Sequence, residues 1–477
     1  MVIAYDTRYF SQHFCKLIAS TWIACGGDVY IFDGPRSTPQ LSFSVRYLKT
    51  IAGVMITASH NPFFDNGYKV YGPDGAQIEE KAAAAITQNI QKITLADTLP
   101  YVEIHLDGAL SLPHTLDDAY LETCENSIVD LSLFRKMRYM HIVYTPLHGT
   151  GSVCIPTLLK NFSWNIHNVE QQMSMDSAFP TVASPNPDNR ETLTLAIKEA
   201  QRVHADAIIA TDPDADRMSL LLKDTHEEWQ LLSGNTIAVL LAEYRYTRLM
   251  QYHRSLARVH SRMAIVKSYV TTPLLNAFAK KHGLKCVETH TGFKWIGAKL
   301  KSYEEKVTTY LFRTKGFALN YTRCTFEMRR DQLYHHSTYL FLGAEESCGF
   351  LCNDAVRDKD GNAAALMACE LIAYLKSKNI NFTEYLDEIY YQYGYFHEDL
   401  LSFTLEGQKG TQTIRHLMQS YRQHPPQKMS NTRVLKIIDF LHPQGMVDAD
   451  GDAVPPADFL ILRLNNGCSV MVRPSGT

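Results

Sequence analysis

Ser59 and His60 stand side by side in TASHNP, residues Thr57 to Pro62, directly after the apolar run Val54 to Ile56. Pro62 stiffens the exit, so a hydroxyl and an imidazole are held at one exposed bend. A plain polar turn would use the same residues. Asp212, Asp214 and Asp216 alternate in DPDADR, after the apolar run Ala207 to Ala210. Carboxylates so spaced can converge on one hard cation, and ligation by oxygen alone suits Mg²⁺. An EF-hand is excluded, because its sixth and twelfth positions would be Arg217 and Lys223, where glycine and a bidentate glutamate are needed. A solvated acidic turn stays open, although carboxylates this close repel unless something positive neutralises them.

Two further loops carry weaker signals. In GAEESCG, Gly343 to Gly349, Glu345 and Ser347 can accept from and donate to neighbouring sugar hydroxyls. A helix start with acids in its first turn would read the same. In RPSGT, Arg473 to Thr477, a guanidinium fork, two hydroxyls and a glycine could meet a phosphate, or form an ordinary exposed turn.

The elements around these loops follow one rhythm. Val2 to Tyr5 reads as a buried strand; Phe10, Phe14, Leu17, Ile18 and Trp22 recur at helical spacing, and Gly26 and Gly27 end that helix before a strand over Val29 to Phe32. The alternation returns at His141 to Tyr144, at Leu193 to Val203 feeding Ala207 to Ala210, at Met263 to Val266 and at Lys285 to Val287. This predicts an α/β fold of mixed, mainly parallel sheets covered on both faces, with binding loops at the carboxyl ends of strands. From Val434 on, short strands separated by Gly, Pro and Asn turns predict a smaller α+β module. The expected domains are 1–112 with the serine loop, 113–228 with the aspartates, 229–382 with the sugar loop, and 383–477 with the phosphate loop.

Composition excludes several classes of partner. The chain has 477 residues, a formal net charge of −3 and 20% charged residues, which gives no basic footprint for nucleic acid or an anionic membrane. Its 10 cysteines lie singly, without zinc spacing, and read as reduced thiols of a cytoplasmic protein. No signal peptide precedes Asp6, and no apolar run is long enough for a membrane helix. A small-molecule partner is expected, and oligomeric state is invisible in the sequence.

In this order, TASHNP with DNGYKVY, then YTPLHGTG, DPDADR, TGFKWIG, EESCGF, RDKDG and RPSGT resemble the α-D-phosphohexomutase superfamily over almost the whole chain. The segment TGFKWIG looks closest to the branch of type-2 phosphoglucomutase and phosphopentomutase enzymes. The resemblance implies three similar α/β domains plus a smaller fourth around a central cleft. It also implies an isomerase that interconverts sugar 1-phosphates with 6-phosphates, or pentose 5-phosphates, through a phosphoserine and a bisphosphorylated intermediate. Sugar phosphates would be the partners, Mg²⁺ the cofactor and a sugar bisphosphate the activator.

Residue by residue, the resemblance makes Ser59 the phosphorylated serine and sets Asp212, Asp214 and Asp216 around the metal with it. It gives His60, Lys69 and Lys359 to proton transfer, and aims Arg8 and Arg217 at the phosphoryl group. Thr291, Gly292, Phe293 and Lys294 become the specificity loop, Glu345 and Ser347 hold sugar hydroxyls, and Arg473, Ser475, Gly476 and Thr477 hold the phosphate that is not transferred. A sugar bisphosphate synthase would use the same residues, and a catalytically impaired sugar-phosphate-binding protein would keep many of them.

The sequence also departs from that pattern. A segment expected ahead of Met1 and a strand and helix expected after Thr477 are lacking, so both ends read as shortened. TTYLF at Thr308 to Phe312 is echoed by STYLF at Ser337 to Phe341, and the residues between, 313–336, show no clean period. They read as an insertion, a retained intron or gene-model error, with a disordered surface loop as the alternative.

Overall fold

The computed structural model describes residues 1–98, 103–252, 260–316, 324–405 and 407–475. The chain divides into two compact units, the first Met1–Cys286 with Thr291–Tyr395, the second from Phe396 onward with Val287–His290. The first unit therefore reaches past the boundary at 383 suggested by the sequence, and the helix Phe382–Tyr393 belongs to it.

Three α/β sheets follow one another along the chain. The first has β1 (Val2–Tyr5) between β2 (Val29–Ile31) and β3 (Gly53–Ile56), both parallel to it. β4 (Tyr68–Tyr71) runs antiparallel to β3, and β5 (Ala109–Ser111) closes the far edge parallel to β2. All four side chains of β1 are buried, as its unbroken apolar run requires. The helix Ser11–Ala24 packs Cys15 and Ala19 onto this sheet. Its exit needs a glycine at position 27, where a Cβ would lie 2.1 Å from the Trp22 Nε1.

In the second sheet β6 (His141–Thr145) lies between β7 (Asn165–Asn168) and β8 (Ala207–Thr211), both parallel to it, and β9 (Met218–Lys223) and β10 (Trp229–Leu231) add an antiparallel edge. The third has the order β12 (Lys285–Thr289), β11 (Met263–Ser268), β13 (Tyr339–Glu345), β14 (Gly349–Leu351). The expected strands are thus present, most of them a residue or two longer than their apolar runs. The fourth sheet belongs to the second unit and is antiparallel: β15 (Lys428–Met429), β16 (Thr432–Asp439), β17 (Leu460–Leu464) and β18 (Ser469–Val472) in sequence order. Met418 of the helix Gly407–Gln423 packs on Leu460 and Leu462 there.

The stretch read as irregular is partly helical. The helix Phe293–Lys315 carries its first residues, and Phe326–His336 forms a second helix capped by Thr325, whose hydroxyl accepts from the Met328 N–H at 3.3 Å. Leu333 and Tyr334 are buried. Arg329 grips Asp354 with two hydrogen bonds, 2.8 and 3.0 Å, and both residues are buried. The missing period has a cause: besides Leu333 and Tyr334, this helix buries an arginine.

Candidate active site

The serine loop leaves the carboxyl end of β3, and the aspartate loop leaves the carboxyl end of β8. Ser59 sits in the left-handed region, φ 50°, which turns its side chain out of the strand line. Its hydroxyl donates to Asp212 Oδ2 at 2.6 Å and lies 3.3 Å from His60 Nδ1. Its N–H donates to Thr57 Oγ1 at 2.8 Å, and the Thr57 hydroxyl in turn donates to Asp6 Oδ2 at 2.7 Å. Burial, followed by Arg217, pushes the His60 imidazole down to about 4, so it is neutral near pH 7.

Arg8 has a different place from the one expected. Its guanidinium is buried and donates to the backbone carbonyls of Pro62 at 2.7 Å, Asp65 at 3.0 Å and Asn61 at 2.6 Å, and to that of Ser59. Asp6 pairs with its Nε at 3.2 Å, and the Phe179 ring lies 5.2 Å away. Arg8 is thus a clasp on the backbone of the serine loop, with its fork turned to carbonyls.

Asp212, Asp214 and Asp216 are fully buried, with one carboxylate oxygen from each within 4.8 Å of the others. Asp214 Oδ2 accepts from Thr38 Oγ1 at 2.7 Å and Lys69 Nζ at 2.9 Å; Asp216 Oδ2 meets Lys69 and Lys359, each at 3.2 Å. Asp214 Oδ1 and Asp216 Oδ1 are buried and have no hydrogen-bond partner. Burial, with Asp214 and Asp216, holds the Asp212 carboxyl well above the usual range. For Asp214 and Asp216 burial pushes the same way, but Lys69 and, at Asp216, Lys359 pull both below it. Two orphaned anionic oxygens in an all-oxygen cluster fit a hard cation.

Backbone from other elements holds this loop. Thr38 N–H donates to the Asp214 carbonyl at 2.9 Å, Thr150 N–H to Pro213 at 2.8 Å and Gly361 N–H to Ala215 at 3.1 Å. Met218 N–H reaches the Cys348 carbonyl at 3.0 Å, which joins the aspartate loop to the turn carrying Glu345 and Ser347. Arg217 points its Nη1 to Asp188 at 3.8 Å and its Nε to Asp216 at 3.9 Å.

Glu345 ends β13 and is buried; its Oε1 accepts from the Gly292 N–H at 2.6 Å, so the two sugar loops expected from the sequence meet. Ser347 is half-buried at the following turn. Thr291 is half-buried and Phe293 buried, while Lys294 reaches Glu80 Oε1 at 3.3 Å. Lys359 approaches across Gly349, where a Cβ would lie 2.2 Å from the lysine Cδ, so a side chain there would force the lysine stem to shift. Arg473 and Ser475 follow β18 in the second unit and are exposed; Gly476 and Thr477 lie outside the described residues.

Sequence reasoning passed over Asp6, Thr57, Thr38 and Ser184, whose hydroxyl donates to the His60 carbonyl at 2.8 Å. Thr57 stood in TASHNP, and Thr38 in the helix start Ser37-Thr38-Pro39-Gln40 with its capping box.

Comparison with known proteins decides the family. Successive parts of the chain match phosphoglucomutase/phosphomannomutase alpha/beta/alpha domain I (residues 1–97), domain II (118–225) and domain III (233–313 and 326–393). The chain belongs to the phosphoglucomutase/phosphomannomutase family. This is the α-D-phosphohexomutase superfamily that the motifs resemble. A phosphoglucomutase of Staphylococcus haemolyticus (strain JCSC1435) is 33% identical over 488 residues, covering 100% of this chain and 80% of that protein. One from Staphylococcus aureus (strain MRSA252) is 31% identical with the same coverage. Among solved structures, a phosphoglucomutase/phosphomannomutase family protein from Burkholderia thailandensis superposes with a TM-score of 0.57 at 19% identity, covering 81% of this chain and 70% of that one. That likeness bears on the fold alone. The family match passes over residues 314–325 and resumes at 326, where the second helix of the supposed insertion begins.

Proposed function

We propose that the chain interconverts sugar 1-phosphate and sugar 6-phosphate through a phosphoryl group carried on Ser59, with glucose phosphates as the main substrates and pentose phosphates as a second class. Family membership makes it a sugar-phosphate mutase, an isomerase. The observation that carries the reading is the Ser59 hydroxyl seated 2.6 Å from Asp212, one of three clustered, buried carboxylates with two oxygens that lack a hydrogen bond.

Mg²⁺ held by Asp212, Asp214 and Asp216 would supply neutralising charge at the transferring phosphoryl group. The rest of the chemistry falls to the chain. Phosphoryl transfer asks the protein mainly for positioning and charge, and Lys69, Lys359 and Arg217 set cations against Asp214 and Asp216 of the cluster. Burial pulls the Lys69 ammonium down, but Asp214, Asp216 and Asp358 outweigh it and keep it charged. His60, neutral beside the Ser59 hydroxyl, is placed to exchange that proton. Glu345 and Ser347 would hold sugar hydroxyls, Thr291 to Lys294 would select the sugar, and Arg473, Ser475, Gly476 and Thr477 would bind the second phosphate. A bisphosphorylated sugar formed at Ser59 would turn over and return its other phosphate, which gives a sugar bisphosphate the role of activator.

The test is direct. Protein incubated with glucose 1,6-bisphosphate should gain one phosphoryl group, mapped by mass spectrometry to Ser59, and excess glucose 1-phosphate should remove it. Ser59→Ala should take up none and lose turnover by several orders of magnitude while still binding sugar phosphate. Label on an aspartate, or full activity in Ser59→Ala, would overturn the mechanism.

A further inference from the structure

The aspartates of the metal loop cannot choose for themselves which oxygen faces a cation. A carboxylate is symmetric, and its rotation in the site is set by whatever hydrogen-bonds to one side of it. At Asp214 that choice is made by two donors on Oδ2: Lys69 Nζ at 2.9 Å and Thr38 Oγ1 at 2.7 Å. Oδ1 is left buried and without a hydrogen-bond partner, and so is Asp216 Oδ1, which has only the Arg217 guanidinium 3.9 Å away.

Lys69 is shared with Asp216 at 3.2 Å, so it holds the two carboxylates together without fixing either one alone. Thr38 serves Asp214 only, and it does so twice, with its hydroxyl to the side chain and its N–H to the carbonyl at 2.9 Å. It opens the helix Thr38–Leu48 of the first sheet's domain, whereas Asp214 lies in the loop after β8 of the second. The threonine is itself braced. Ser37 caps the same helix through a capping box with Gln40, and Asn362 Nδ2 donates to the Ser37 hydroxyl at 3.3 Å from the start of the helix Gly361–Lys378. Gln40 Nε2 donates to Asp117 Oδ1 at 2.8 Å. Thr38 is fully buried, so no water competes for its hydroxyl.

We propose that Thr38 is a positioning residue for the cation: its hydroxyl pins Asp214 Oδ2 so that Oδ1 faces the metal. The inference rests on the metal reading of the three aspartates and goes beyond it. The start of a helix in the first α/β domain thus meets the aspartate loop of the second at this hydroxyl, and the first domain sets the metal affinity of that loop.

The experiment uses the full chain stripped of metal and titrated with Mn²⁺, followed by the loss of the free ion's paramagnetic resonance signal. Thr38→Val keeps the volume and removes the donor; Thr38→Ser keeps the donor and removes a methyl. The expectation is that Thr38→Val binds Mn²⁺ about 10-fold or more weakly, that Thr38→Ser binds as wild type does, and that KM for glucose 1-phosphate at saturating Mg²⁺ moves by less than about 2-fold. Circular dichroism melts show whether Thr38→Val folds; if it does not, Thr38→Ala carries the same expectation. Wild-type Mn²⁺ affinity in a folded Thr38→Val or Thr38→Ala overturns the role of Thr38 and leaves the metal reading standing. Absence of Mn²⁺ binding by the wild type itself overturns both.

Discussion

The aspartate loop and the serine loop face each other across a single hydrogen bond, yet they are built on opposite plans. Thr211 to Asp216 are buried without exception, and the loop's backbone is tied by N–H groups of Thr38, Thr150 and Gly361. Ser59 to Pro62 are only half-buried, and Phe63 and Phe64 beyond them are exposed. What holds the serine loop is mainly one arginine reaching out to its carbonyls, with the Ser184 hydroxyl on that of His60 and with Asp6 and Thr57 beside them. The difference suits the chemistry proposed for each. Fixed charges are worth most where water is excluded and nothing needs to move. A serine that takes and gives up a phosphoryl group must stay open to a substrate that comes and goes.

Four substitutions would break or sharpen this contrast. The largest effect belongs to Asp214→Asn, which keeps volume and removes one charge from the fixed side. Turnover should fall by roughly 10²–10³ with a raised Mg²⁺ requirement, while sugar-phosphate binding measured by calorimetry changes little. Activity equal to wild type at limiting Mg²⁺ would remove the cluster from the mechanism.

Arg8→Lys attacks the open side. Lysine keeps the charge but cannot span the carbonyls of Asn61, Pro62 and Asp65 as the guanidinium fork does. A loss of about 1–3 kcal/mol in unfolding free energy is expected, together with a fall in phosphorylation of Ser59, but with Mn²⁺ affinity retained. Weakened Mn²⁺ binding as large as that of Asp214→Asn would mean that the two loops are one rigid body.

Gly361→Ala presses on the fixed side by packing alone. Its Cβ would lie 2.6 Å from the Arg217 carbonyl oxygen and 2.7 Å from that of Ala215, both backbone atoms that cannot step aside cheaply. Stability should drop by about 1–3 kcal/mol with a matching loss of metal affinity, and an unchanged melt would show that the loop yields.

The subtlest test is a pH dependence at Asp6, beneath the serine loop. Burial pushes this carboxyl up to about 6, against Arg8 and the hydrogen bonds from the Arg8 N–H and Thr57. In the unfolded chain it titrates near about 4. Between those values the folded protein holds a proton that the unfolded chain has lost, so this group's contribution to stability falls as pH rises through the window. Wild type should therefore lose ground to Asp6→Asn as the pH is raised from about 4 to about 6, read as the difference between their urea midpoints. A constant difference, or one of opposite sign, would count against a protonated Asp6.

Much of this was legible in the sequence, and the part that was not has a physical reason. Asp212, Asp214 and Asp216 announce themselves because three carboxylates in five residues repel unless something positive neutralises them, whereas Ser59 beside His60 could also be a plain turn and gains weight only from the series of motifs around it. The strands were legible because buried parallel strands are unbroken apolar runs, as Val2 to Tyr5 shows. Thr38 and Asp6 were hidden because each acts through a partner distant in the chain, Asp214 or Thr57; the capping box beside Thr38 marks a helix start and not its partner. Arg8 was visible as a charged residue but its direction was not, since a guanidinium that serves carbonyls and one that serves a phosphate look alike in one dimension. The helix Phe326–His336 escaped because period-counting looks for apolar stripes, and it is seated by the pair Arg329 and Asp354.

That last pair bears on the gene as well as on the protein. A messenger spliced to omit the codons for residues 326–336 would delete Arg329 and leave Asp354 as a buried carboxylate with its bidentate partner gone, a loss of about 3–5 kcal/mol for a broken buried pair. Exon boundaries that respect the fold should therefore spare this helix.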